Sequence, residues 1–275
     1  MSEDPYVALI RASSSPLEPL PTGVEPQLSP LEDVQAVLFD VYGTLLVSGS
    51  GDIGASDPAP RGRALVESLS AVGLEFNGEG DEGAAELRRQ IEMSHRESRR
   101  SDIEYPEVRI DQIWRSTCQR FAEAGRLSLP TSGVDYKRLA IEFEVRTNPV
   151  WPMPGAAECL AALRRRGVPV GIVSNAQFFT PLAIEATFGR KPESLGVDPA
   201  LQYYSYEHGH AKPGVWLYEQ AAATLQRNGV KAWQALYVGN DMRNDVHPAA
   251  ATKFRTALFA GDRRSLRMRR DEARA

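Results

Sequence analysis

Along this chain the spacing of apolar and polar positions changes character three times. Residues 36–39, Ala36-Val37-Leu38-Phe39, form an unbroken apolar run of the kind a strand buried on both faces requires. The run stops at Asp40, and Gly43 then supplies a backbone able to turn sharply. From 64 to 147 the period lengthens to that of a helix. Helices are predicted over 64–72, 82–100, 108–124 and 136–145, with Ile110, Ile113, Trp114, Cys118 and Phe121 at helical spacing in the third. No strand is expected in that block. Beyond 155, helices predicted at 156–166, 179–188, 215–226 and 244–251 alternate with strands at 168–174, 201–205, 235–238 and 256–259. Such alternation predicts a parallel, doubly wound sheet with right-handed crossovers. The fold class is therefore α/β, a Rossmann-like core with an all-helical block inserted after its first strand.

The remaining stretches have no periodic face. Residues 1–33 hold Pro5, Pro16, Pro19, Pro21, Pro26 and Pro30 among serines and acids. With little to bury, they are expected to form an extended or partly disordered arm, pinned at most by Leu17, Leu20 and Leu28. Residues 48–62 read as a loop or hinge, and 148–155, stiffened by Pro149, Pro152 and Pro154, as the linker back to the sheet. The end of the chain carries Arg263, Arg264, Arg267, Arg269, Arg270 and Arg274 and is expected to be a solvated terminal helix. The chain thus divides into an arm (1–33), a core in two pieces (34–48 and 148–262), a helical cap (49–147) and a tail (263–275).

Composition removes several function classes. The 275 residues are 42% hydrophobic and 25% charged, ordinary for a globular protein. A net charge of -4 gives no reason to expect nucleic acid or an anionic membrane as partner. No apolar run approaches the ~18 residues of a membrane span, and the acidic, proline-rich start does not read as a signal peptide. Cys118 and Cys159 are too few for a disulfide framework or a zinc cluster, which fits a reducing compartment. A cytoplasmic protein acting on a small molecule is expected. Oligomeric state does not follow from the sequence.

Four predicted strand ends deliver polar residues to one sheet edge, where open α/β sheets bind ligands. The first brings Asp40, able to act as nucleophile, metal ligand or helix cap. The second brings Ser174 and Asn175, which can donate to phosphate or carboxylate oxygens or form an ordinary turn. The third brings Lys212, ahead of a proline, able to neutralise Asp40 and a bound anion. The fourth brings Asp241 and Asp245, four apart and on one face if a helix starts at once. Acids gathered beside Asp40 would repel unless a hard cation sits among them, and magnesium suits such oxygens. Capping of the next helix is the plainer role for Asp241.

Taken together, the four segments resemble the haloacid dehalogenase superfamily. Its first motif is matched by Asp40, Tyr42, Gly43 and Thr44, and its second by Ser174-Asn175. Its third is matched by Ser205, Glu207, Gly209, Lys212 and Pro213, and its fourth in part by Gly239, Asp241 and Asp245. The resemblance implies nucleophilic attack by Asp40, with Lys212 holding Asp40 and the transferred group and Ser174 binding one of its oxygens. Gly43, Thr44, Asn175 and backbone amides would complete the cradle. Magnesium would be held by Asp40, the carbonyl of Tyr42, Asp241 and Asp245, and the helical cap would exclude water. The expected reaction is hydrolysis of a small phosphorylated metabolite through an aspartyl-phosphate. Two positions depart from that pattern. Tyr42 stands where the family's phosphatases carry an Asp that protonates the leaving group, whereas its dehalogenases, which work without metal, also carry Tyr. Asn240 stands where the first acid of the fourth motif most often sits. The rival expectations are metal-independent hydrolysis of a 2-haloacid and a phosphate-binding module with little chemistry.

Overall fold

A computed structural model describes residues 3–50 and 58–269. In chain order its elements are α1 (Pro5–Ser13), β1 (Ala36–Phe39), β2 (Leu46–Ser48), α2 (Pro58–Ala71), α3 (Gly80–Arg99), α4 (Ile110–Glu123), α5 (Tyr136–Thr147), β3 (Val150–Pro152), α6 (Ala156–Arg165) and β4 (Val170–Ser174). There follow α7 (Thr180–Phe188), α8 (Pro192–Leu195), β5 (Val197–Tyr204), α9 (Ser205–His208), α10 (Trp216–Arg227), β6 (Ala235–Gly239), α11 (His247–Ala251) and β7 (Arg255–Leu258).

The central sheet has five strands in the order β5-β4-β1-β6-β7, all parallel. Strand β1 lies in the middle, paired to β4 on one side and β6 on the other. The run 36–39 is wholly apolar because each face of β1 meets its own core. Val37 and Phe39 join Ile172, Leu160 and Ile184, while Ala36 and Leu38 join Val173, Leu217 and Tyr237. The chain leaves β1 for one half of the sheet and returns for the other. The crevice at the C-terminal end of β1 is therefore the switch point where such sheets bind ligands.

The α/β core with four helices inserted between β2 and β3 agrees with the expected architecture. Strands β2 and β3 pair antiparallel, so the exit from the core and the return lie side by side. Ser48 donates to Asn148 Oδ1 at 2.7 Å across that pair. Within the helical block, α2 packs on α3 and α5, and α4 on α5. Trp114 is completely buried there, edge-on to Phe143 at 5.3 Å.

Several expectations require correction. The arm begins with a helix: Asp4 caps α1 through the amide of Tyr6, and Val7 and Ile10 bury against the body. The proline-rich remainder has no helix or strand, and Leu28 is 91% exposed rather than an anchor. Strand β5 starts four residues early, with a register shift where Asp198 and Pro199 interrupt the pairing. Helix α2 already begins at Pro58 inside the expected loop, while residues 51–57 lie outside the described residues. The described part of the tail, residues 263–269, is not a solvated helix. Ser265 is buried, and Arg267 bonds through its backbone to Asn240 and Met242, against the loop after β6. Arg270 and Arg274 lie outside the described residues.

Candidate active site

Asp40, Ser174 and Lys212 converge at the C-terminal edge of the sheet, with Asp245 beside them. Lys212 Nζ donates to Asp40 Oδ1 at 2.7 Å and to Asp245 Oδ1 at 2.6 Å. Its position is fixed by the main chain: the Lys212 amide donates to Asn175 Oδ1 at 2.7 Å, and Asn175 Nδ2 donates to the Lys212 carbonyl at 3.0 Å. Asn175 thus clamps the lysine. Tyr237, fully buried on β6, donates to either Val173 O or Asp245 Oδ1 and stands 3.3 Å from the Lys212 nitrogen. Burial raises Asp40 to about 6, with Asp245 adding to the shift and Lys212 and a hydrogen bond from Ser174 opposing it. For Lys212 the same burial is outweighed by the two aspartates, so its pKa rises.

The turn after β1 explains Gly43 and Thr44. Gly43 has φ +82, and a Cβ there would lie 2.4 Å from the Cβ of Ser265. Thr44 donates to Asn240 Oδ1 at 3.1 Å, tying the first strand end to the fourth. Tyr42 directs its hydroxyl to Thr180 Oγ1 at 2.9 Å, and burial pushes its pKa well up, with Glu144 adding to the effect.

Of the oxygens expected to hold magnesium, those of Asp241 and Asp245 are engaged by groups of the chain itself. Asp245 uses Oδ1 on Lys212 and Tyr237, and Oδ2 on the amides of Asn240 and Asp241. A carbon side chain at Gly239 would collide with Asp245, so the glycine permits this close approach. Asp241 caps the π-type turn Met242–Val246 through the amides of Arg243 and Asn244. Both its oxygens also accept from Arg269, at 3.1 and 2.7 Å. Its pKa is lowered: burial raises it, but Arg269 and the capping amides outweigh burial. Among the described residues, no three His, Cys, Asp or Glu side chains form a group that could hold a metal ion. Asp241 and Asp245, so committed, do not fit the ligand roles expected of them from the sequence.

Above these groups lies a cavity of about 580 Å³ between the sheet edge and the helical block. Its floor includes Asp40, Lys212, Asn175, Asn240 and Asp245, and its far lining includes Arg61, Arg88, His95 and Arg99. His95, within the helix expected over 82–100, lines the cavity, and the residues Ala84, Arg88, Ile91, His95 and Arg99, spaced on one face of α3, were the signal. His247 is exposed and outside the lining.

Two cavity acids also escaped sequence reasoning. Glu107 accepts from Ser205 Oγ at 2.7 Å and from Gln177 Nε2 at 3.2 Å. The neighbouring backbone bonds Ala211 N to Tyr105 O and Glu107 N to Gly209 O complete a latch between the helical block and the core. Ser205 and Gly209 therefore anchor that latch. Burial raises Glu107, and pushes Glu144 up to about 7 against a hydrogen bond from Asn148 and the charge of Arg61.

Residues 34–252 match the family model of haloacid dehalogenase-like hydrolases. The chain belongs to that family and is one of its hydrolases. Among solved structures it is similar to a 2-haloacid dehalogenase from Pseudomonas syringae pv. Tomato at 18% identity and a TM-score of 0.51, covering 82% of this chain and 86% of that one. A HAD family enzyme from Bacteroides thetaiotaomicron gives 12% and 0.52, over 83% and 94% of the two chains. CbbY from Rhodobacter sphaeroides, crystallised with xylulose-1,5-bisphosphate, gives 16% and 0.44, over 84% and 88%. At identities this low, the two likenesses with TM-scores above 0.5 show the fold alone. No curated protein matches the chain. Among the described residues no helix is long and apolar enough to cross a membrane.

Proposed function

We propose that the protein hydrolyses a small anionic substrate by attack of Asp40 on carbon, with halide as leaving group and without a metal ion in the step. The observation that carries this reading is the pairing of every floor acid before substrate arrives. Lys212 is shared by Asp40 and Asp245, and Arg269 is matched to Asp241. Asp40, Asp245 and Lys212 together leave one net negative charge. A phosphate monoester would add up to two more against Asp40, in a buried site where like charges repel strongly. A carbon centre carrying halide adds none at the reacting atom.

In this reading Asp40 Oδ2 displaces halide from carbon to form an ester, while Lys212 and Ser174 hold the carboxylate in line. Water then adds to the Asp40 carboxyl carbon, which releases the alcohol and restores the carboxylate. Lys212 steadies the oxyanion that forms there. Tyr42 fits this chemistry, because its hydroxyl is bonded to Thr180 and its pKa is raised, and halide leaves without a proton. Gly43 and Thr44 shape the turn, and the helical block acts as a cap that excludes water.

The resemblance alone favours magnesium-dependent hydrolysis of a phosphorylated metabolite, with Asp241 and Asp245 as ligands. The present geometry gives those acids other partners. One panel separates the readings: 2-chloropropionate, acetyl phosphate and p-nitrophenyl phosphate, each with magnesium or with EDTA, on wild type and Asp40→Asn. Chloride release that ignores EDTA and vanishes in Asp40→Asn is expected. Phosphate release that requires magnesium and Asp40 would overturn the proposal.

A further inference from the structure

We propose that the α3 side of the cavity is a second anion site, formed by Arg88, His95 and Arg99 with Arg61 beside them. The substrate it selects is elongated and carries a carboxylate or phosphate at the end away from the reacting atom. This rests on the reading of Asp40 as the reacting end.

Three observations carry it. First, Arg88, His95 and Arg99 fall at steps of seven and four residues along α3, so one face of a single helix presents all three to the cavity. Second, His95 Nε2 is buried and has no hydrogen-bond partner, an expensive condition for a polar atom unless a ligand completes it. Third, Arg88 lines the cavity and no ion pair to it is found among the described residues. A guanidinium so placed favours an anion that accepts from it. In support, the Arg61 pKa is lowered, first by burial and then by Arg88, with Glu144 opposing. Burial and the charge of Arg99 lower His95 in the same way, with Glu92 opposing.

The space agrees with the charge. A cavity of about 580 Å³ is of the size that holds an extended metabolite, and a three-carbon haloacid would leave most of it empty. The floor acids are already paired, Glu107 is engaged by Ser205 and Gln177, and Glu144 acts on Arg61, which leaves Arg88, His95 and Arg99 to the ligand.

Calorimetry with unreactive probes tests the site without turnover. Hexanoate and hexanamide have the same chain length and differ in charge. Wild type is expected to bind hexanoate about tenfold more tightly than hexanamide, roughly the worth of a charge-assisted hydrogen-bonded pair. That ratio should fall to about one in Arg88→Met, drop in His95→Phe, and recover largely in Arg88→Lys. Organic phosphates of the same length, tested in parallel, identify which anion the wall prefers. Equal affinities of wild type for hexanoate and hexanamide, or an unchanged ratio in Arg88→Met, would overturn the inference. Halide release by wild type and Asp40→Asn reports on the reacting end separately, so either claim can fail alone.

Discussion

The floor and the far wall of the cavity hold similar residue types in opposite states. On the floor every acid has a cationic partner: Lys212 lies within 2.7 Å of both Asp40 and Asp245, and Arg269 meets Asp241 with two hydrogen bonds. On the wall, Arg88 faces another cation and His95 keeps a buried nitrogen without a partner. A fully paired floor is organised before substrate arrives, which suits chemistry that depends on a fixed attack line. A helix face on which Arg88 has no ion pair among the described residues and His95 an unbonded nitrogen draws its partner from solution, which suits selection. The contrast assigns reaction to the sheet edge and choice of substrate to the helical block.

The sharpest way to break this division is Asp40→Asn. It should lower halide release by roughly 10⁴-fold or more, since a nucleophile acts as part of a unit, while hexanoate still binds. Next in size is the cost of disturbing each region. Lys212→Met strands two buried carboxylates and should cost about 3–5 kcal/mol in chemical denaturation. Arg88→Met at the wall should stay within about 0.5 kcal/mol of wild type. Comparable losses at the two sites would erase the distinction. The smallest effect is on pH dependence. Asp40 is raised to about 6 in the folded protein, above the ~3.9 of an unperturbed aspartate. The fold therefore favours its protonated form, and this group's contribution to stability declines as pH rises from about 4 to 6. The nucleophile is the ionised form, so kcat/KM should rise with a midpoint at about 6 and level off roughly one unit higher, before any ionisation at Tyr42.

Much of the sheet and its edge was legible in the sequence, because strand ends in a parallel α/β fold must point their last side chains into one crevice. That rule brought Asp40, Ser174, Lys212 and Asp245 together although 134 to 205 residues of chain separate the first from the others. What escaped depended on partners that periodicity does not encode. Asp241 and Asp245 are spaced as metal ligands would be, but Arg269 approaches from a segment with no regular structure and claims Asp241. His95 sits on a helix whose polar stripe reads as solvent-facing until the cavity beneath the helical block is known. Helix α1 was hidden by the prolines that follow it. Its own signals, Asp4 ahead of Pro5 with Val7 and Ile10 three apart, were present.

The central claim is attack at carbon, and the fate of one oxygen atom tests it most directly. With enzyme in excess over 2-chloropropionate in water enriched in ¹⁸O, a single turnover cleaves the ester at the Asp40 carboxyl carbon. The heavy atom should then be retained in the Asp40 peptide by mass spectrometry, with chloride released. An unlabelled Asp40 peptide after turnover, or heavy oxygen recovered in released phosphate when acetyl phosphate is the substrate, would contradict it.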